Sequence, residues 1–413
     1  MIAFALIRSG ILVLLIAAMV TSVQGQGQPV PIAFVNATVI DGVSSTPIRN
    51  ATVLVAGGKI TGLTSGNLTV PSGTRTIDLR GRYVVPGLID AHAHITTMDG
   101  AHTALMSGVT TVRCMGVNHF ADVGLRELIS ADRINGPQIL ASGYHVRPEP
   151  ADGFFLDFPD MADLMTPGVH GAGSLRRMGG AMVIRGVDWI KTNATARAGL
   201  PETDPREPYF TEAELRALVE TGADGNVPVA AHAHGDEGGR AAVLAGVRSI
   251  EHGTYLSRET LVIMAQRGTY LVPTVAIVRN MAEPGGEYDI PVLMIRGRHM
   301  YPQIQRTVKL AKELGVKIVA GTDTGYGADS AIRLSQELEE LVEAGLTTFE
   351  AMQSATIGAA ELLRLESTTG RIAAGYDADL IIVDRNPLED IGALHDPLMV
   401  VNNGEIALDR LSW

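Results

Sequence analysis

Between a β-rich beginning and a β-rich end, this chain repeats one rhythm: a short apolar run followed by an amphipathic segment. The apolar runs end near His94, Met115, Gly143, Asn193, His234, Gly253, Val275 and Thr324. Strands that alternate with helical stretches are expected to run parallel, because parallel neighbours need a crossover connection and a helix usually supplies it. Eight such units between residues 86 and 372 have the length and order of a (β/α)8 TIM barrel. One helix start is marked locally: Thr211 and Glu214, in Thr211-Glu-Ala-Glu-Leu-Arg-Ala-Leu-Val-Glu220, form a capping-box pattern. The expected fold class is therefore α/β.

Residues 29–85 contain short alternating runs such as Ile32-Ala-Phe-Val35 and Ala51-Thr-Val-Leu-Val55, with Gly57-Gly58 as a turn. Residues 373–413 repeat that texture in Asp379-Leu-Ile-Ile-Val383 and Val400-Val-Asn-Asn-Gly404. The two ends are expected to pair into one small β-sandwich packed on the barrel, since no flexible linker separates them from it.

Residues 1–25 read as a secretory signal peptide: Arg8 supplies the charge, Gly10 to Val20 the apolar stretch, and Val23-Gln-Gly25 the small residues for cleavage. A secreted or periplasmic protein with no membrane contact after cleavage is the expectation. With a single cysteine, Cys114, no intrachain disulfide can form. The formal net charge of −12 provides no basic face for nucleic acid.

In a barrel of this kind functional groups gather where the strands end. The first run, Tyr83-Val-Val-Pro-Gly-Leu-Ile-Asp-Ala-His-Ala-His-Ile95, ends in histidines one residue apart, so His92 and His94 share a strand face. His145 follows the third run, Lys191 lies in the fourth, His232 and His234 end the fifth, His252 the sixth, and Asp323 the eighth. Six of the eleven histidines thus fall at one rim. The others, among them His102, His119, His170, His299 and His395, lie away from strand ends and are expected to be structural or solvated.

On these residues the chain resembles the amidohydrolase superfamily, over nearly its whole length after the signal. Pro86-Gly-Leu-Ile-Asp-Ala-His-Ala-His94, Ile190-Lys191, the later histidines, Gly321-Thr-Asp323 and Gly375-Tyr-Asp-Ala-Asp-Leu380 carry the likeness. It implies two divalent metal ions, zinc being the first expectation, with His92, His94 and Asp323 on the more buried ion. His232 and His252 would hold the more exposed ion, and Lys191, carboxylated, would bridge the two. Neutral imidazoles and a carboxylate suit zinc, and two close cations need an anionic bridge. A lysine amine in an apolar strand is held uncharged and can add carbon dioxide. Asp323 would also relay the proton of an attacking hydroxide to the leaving nitrogen. His234 and His145 are further catalytic candidates, His145 also for contacting substrate.

Ile190-Lys-Thr-Asn-Ala-Thr195, His232-Ala-His-Gly235 and Ile250-Glu-His-Gly-Thr254 resemble the imidazolonepropionase-like branch, which includes Xaa-Pro dipeptidases and ochratoxin-hydrolysing carboxypeptidase-like enzymes. The expected activity is amide hydrolysis in dipeptides or N-acyl amino acids, by a protein that, like many in the superfamily, forms a homo-oligomer. Tyr144, His145 and Arg197, with Arg147, are candidates for binding the substrate and its carboxylate. Loop 146–172, with Phe154-Phe-Leu-Asp-Phe158, is expected to close over the site as an apolar lid. The second reading is a cyclic-amide hydrolase, lactonase or deaminase; a non-catalytic scaffold would be expected to have lost ligands that are all present here.

Overall fold

The computed structural model describes residues 30–66, 70–328 and 330–411; the signal assigned to residues 1–25 lies outside them. Strands β1 (Ile32–Val39), β2 (Ile48–Ala56), β3 (Lys59–Ser65), β4 (Arg75–Asp78) and β5 (Tyr83–Pro86) come first. Then follow β6 (Leu88–Ala93), β7 (Val109–Cys114), β8 (Gln138–Leu140), β9 (Ile190–Asn193), β10 (Val229–Ala233), β11 (Ser249–His252) and β12 (Tyr270–Val272). The chain closes with β13 (Leu380–Val383), β14 (Met399–Asn402) and β15 (Glu405–Asp409).

β6, β7 and β8 pair in parallel, as do β9, β10, β11 and β12. Parallel bridges join the two groups: Val146 to Thr192 on one side, and on the other Leu271 to Ile318 and Thr324 to Ala93. Residues 318–324 are thus the eighth stave and close the barrel, and the eight staves fall where the apolar runs do. The strands are buried almost throughout because both faces are covered, by helices outside and by barrel filling inside. That filling includes the Arg113 guanidinium, 4.4 Å from the Trp189 ring centre. The capping box forms as expected, with the Glu214 carboxylate accepting from Thr211 N–H at 2.8 Å and the Thr211 hydroxyl accepting from Glu214 N–H.

The chain ends share one mixed sheet in the order β15-β14-β13-β5-β1-β2-β3, with β4 on β1. Its own apolar core joins Phe34, Val53, Ile60 and Val84 from the first end to Leu380, Ile382, Met399 and Val401 from the last. β5 ends two residues before β6 begins, so the sheet feeds directly into the first barrel strand.

Where the sheet meets the barrel, Asp379 is buried, accepting from Asn403 N–H at 2.8 Å and the Thr369 hydroxyl at 3.1 Å. Burial pushes its carboxyl up from 3.8 to about 6 against those two bonds. The folded chain therefore holds this proton more tightly than the unfolded one, so folding stability falls as pH rises from about 4 to about 6 and the full cost is present above. We expect Asp379→Asn to reduce the stability difference between pH 5 and pH 7 seen in the wild type, by about 1 kcal/mol, in urea titrations at the two values. An unchanged difference would refute this assignment.

Candidate metal centre and active site

At the carboxyl ends of the staves, His92, His94, His145, Lys191, His232, His234, His252 and Asp323 line one pocket. Ligand atoms of His92, His252 and Asp323 lie within 4.8 Å of one another, as do those of His232, His234 and His252, and either group could hold a metal ion. Asp323 Oδ1 is 2.8 Å from His94 Nε2 and 3.3 Å from His92 Nε2, and Lys191 Nζ is 3.4 Å from His92 Nε2. The hinge of this arrangement is Gly321: a Cβ there would lie 2.7 Å from the His92 Cβ. The closing stave can approach the first only because this residue has no side chain. Asp323 N–H then donates to the His92 carbonyl at 2.7 Å. Asp323, His252 and Thr274 all have left-handed backbone, with φ of 59°, 73° and 52°. Non-glycine residues held this way are uncommon and concentrate at functional strand ends.

Five of the six histidines are aimed in the same manner. Nδ1 is tied to the protein, by Glu251 for His92 (2.8 Å), Gly116 O for His94 (3.0 Å), Asn193 for His145 (2.9 Å), Thr254 for His234 (2.8 Å) and Thr274 for His252 (2.7 Å). Nε2 is left to face the pocket, as metal-ligating imidazoles require. His232 reverses this, its Nε2 lying 3.2 Å from the Ala196 carbonyl. Burial holds His145, His232, His234 and His252 below the ordinary imidazole range, His234 at about 3, so they are neutral ligands or hydrogen-bonding groups at neutral pH. Burial also draws the Lys191 amine down to about 8. For Asp323 burial acts upward, but the His92, His94 and His252 imidazoles outweigh it and hold the carboxyl well below its usual range.

His92, His232 and His252 are buried, whereas the His94 side chain is 28% exposed. Of the substrate candidates, His145 and Arg197 line the pocket and Tyr144 does not. Tyr144 instead buries its ring against Phe120 and Phe154, its hydroxyl bonded to Asp157 at 2.6 Å and His119 at 3.0 Å. Successive residues leave an extended chain on opposite sides, so the backbone that sends His145 inward sends Tyr144 outward. The expected apolar lid is also corrected: Phe154 and Phe155 are buried in the packing around Tyr144. The pocket takes its apolar wall from Ile277, Val278 and Met281 on the helix Val275–Ala282, together with Tyr288. Burial, with the nearby Asp323 charge, pushes the Tyr288 hydroxyl up to about 12 and keeps it a donor.

Sequence reasoning missed the support beneath His92. Glu251, fully buried, accepts from His92 and from Arg113 at 3.0 Å, while Arg113 also donates to the Ala91 carbonyl and the Ser249 hydroxyl. Burial alone would raise the Glu251 carboxyl, but Arg113 and His92 bring it to about 2. Its signal was its position: an acidic residue one place before a ligand candidate, in a strand that proves to be fully buried.

A family model described as "Amidohydrolase family" matches residues 83–407. Ochratoxinase of Aspergillus niger is 27% identical over 397 residues, covering 86% of this chain and 82% of the relative. A crystal structure of an Xaa-Pro dipeptidase with methionine bound in its active site superposes with a TM-score of 0.83 at 30% identity, covering 91% of this chain and 99% of that one. A prolidase complexed with N-methylphosphonate-L-proline superposes with a TM-score of 0.80 at 27% identity, over 91% and 99% of the two chains. The barrel, the end-paired sheet, the rim of histidines and this match over most of the chain together place the protein in the amidohydrolase family, as a hydrolase of carbon–nitrogen bonds.

Proposed function

We propose that this chain hydrolyses the amide bond of dipeptides or N-acyl amino acids at a pair of divalent metal ions, zinc being the first candidate. The observation that carries the reading is the convergence of His92, His94, Lys191, His232, His252 and Asp323 on one pocket. Their chemistry fits metal: the His232 and His252 imidazoles held neutral by burial, an ionised carboxylate, and a buried lysine whose lowered affinity for a proton favours carboxylation. His92, His94 and Asp323 would hold one ion, His232 and His252 the other, and carboxylated Lys191 would bridge them. When bound, the ions supply Lewis acidity and an ionised water at neutral pH.

The chain's own groups do the rest. Asp323, kept anionic by the surrounding imidazoles, takes the proton of the attacking water and passes it to the leaving nitrogen as the C–N bond breaks. His145, held by Asn193, and His234, held by Thr254, present Nε2 to the developing oxyanion. Arg197 receives the substrate carboxylate. This cation favours a carboxylate-bearing amide over hydantoins, lactones or amidines. Methionine in the active site of the related dipeptidase supports an amino-acid-sized ligand beside an apolar wall.

The test is turnover of N-acyl amino acids, dipeptides, hydantoins and lactones by the purified mature protein, before and after chelation. We expect carboxylate-bearing amides to be cleaved and activity to return with added metal. Turnover of hydantoins or lactones alone would move the assignment to the second reading. Export is part of the proposal and rests on residues 1–25; N-terminal sequencing of protein recovered outside the cytoplasm should begin near Gln26.

A further inference from the structure

Two arginines beside the candidate centre form no ion pair, although the Glu149 carboxylate is near enough to act on one of them, Arg147. Arg197 lines the pocket; Arg147, two residues beyond His145, is not one of the lining residues but stands close enough for the Arg197 charge to act on it. No carboxylate among the described residues forms an ion pair with either guanidinium, and the Arg147 Nε is buried without any hydrogen-bond partner. Arg113 is satisfied by Glu251, Ser249 and a carbonyl, and Arg296 by the carbonyls of Ala198, Leu200, Pro201 and Thr203, whereas the Nε of Arg371, which does not line the pocket, is likewise without a partner. Burial and the neighbouring Arg197 charge both pull Arg147 below its ordinary value, and the two charges are felt together at His145.

Two like charges left together and partly out of water are costly unless a ligand anion joins them. One carboxylate offers about four lone-pair sites, whereas two guanidinium groups present about ten N–H donors. Ile277, Val278 and Met281, which line the same pocket, are apolar and have nothing to offer an anion. We propose that the substrate is acidic twice over on its leaving half, an amide of glutamate or aspartate whose α-carboxylate meets Arg197 and whose side-chain carboxylate meets Arg147. The acyl half, with a hydrophobic side chain, lies on the Ile277 wall. This rests on the amidase reading above and names its substrate class.

Phe-Glu, Phe-Gln and Phe-Leu, compared on the metal-loaded protein, isolate the side-chain carboxylate. We expect kcat/KM for Phe-Glu to exceed that for Phe-Gln by about 10- to 100-fold, the range of a charged hydrogen-bonded contact. Arg147→Gln should collapse the ratio to about 3-fold or less, and Arg147→Lys should retain part of it. Calorimetric binding of free L-glutamate against L-glutamine, on wild type and Arg147→Gln, reads the same preference without turnover. Equal turnover of Phe-Glu and Phe-Gln, or an equal loss on both in Arg147→Gln, overturns the inference and leaves the amidase reading standing. Preferential glutamate binding lost in Arg147→Gln, with no dipeptide cleaved, sustains the acidic subsite and sinks the amidase reading. No cleavage and no glutamate preference overturns both.

Discussion

Asp323→Asn should lower kcat by about 10³-fold or more, within the range expected when a positioned proton carrier is removed, while the fold is retained. The side chain is nearly isosteric, and the Asp323 N–H bond to the His92 carbonyl survives the change. What is lost is the anion that His92, His94 and His252 hold ionised. Because an amide oxygen still offers a weaker ligand, metal per chain must be measured beside kcat. A large fall in kcat with metal retained assigns the loss to proton transfer. Near wild-type kcat with metal retained would remove Asp323 from that role.

Glu251→Gln should cost about 3–5 kcal/mol of stability, since it leaves the Arg113 charge unpaired inside the barrel. It should also weaken metal affinity by about 10-fold or more, because the carboxylate that orients His92 through Nδ1 is gone. The two effects separate in a second variant. Adding Arg113→Met to Glu251→Gln removes the stranded charge, so much of the stability should return in urea titrations while the metal affinity stays low. Recovery of both properties would mean that Glu251 serves only to neutralise Arg113.

Much of the barrel was legible because its strands are buried on both sides. Short runs rich in apolar residues mark the strands, histidines at the ends of several mark the functional rim, and even the closing stave, residues 318–324, was visible through Gly321-Thr-Asp323. Less legible was anything set by side-chain direction in irregular backbone. Tyr144 and His145 are neighbours in a loop whose preceding Gly143 has φ of 62°, and only one of them reaches the pocket. Phe154 and Phe155 have the composition of a lid and the position of a small core. The true apolar wall comes from the helix Val275–Ala282, whose sequence has no motif and is placed by the Glu337 carboxylate accepting from Ala276 N–H at 2.7 Å. The Glu251–Arg113 pair unites residues 138 apart in sequence, and no local pattern announces such a contact.

Metal content per chain, measured on wild type and Lys191→Ala, tests the binuclear reading most directly. A buried amine that bridges two ions as a carboxylate predicts about two metals per wild-type chain and a clear loss, with activity, in Lys191→Ala. Short-chain carboxylic acids added to that variant should restore part of both by supplying the missing bridge. A wild-type chain that holds one metal or none at full activity, or a Lys191→Ala variant that keeps both metals and wild-type kcat, would contradict it.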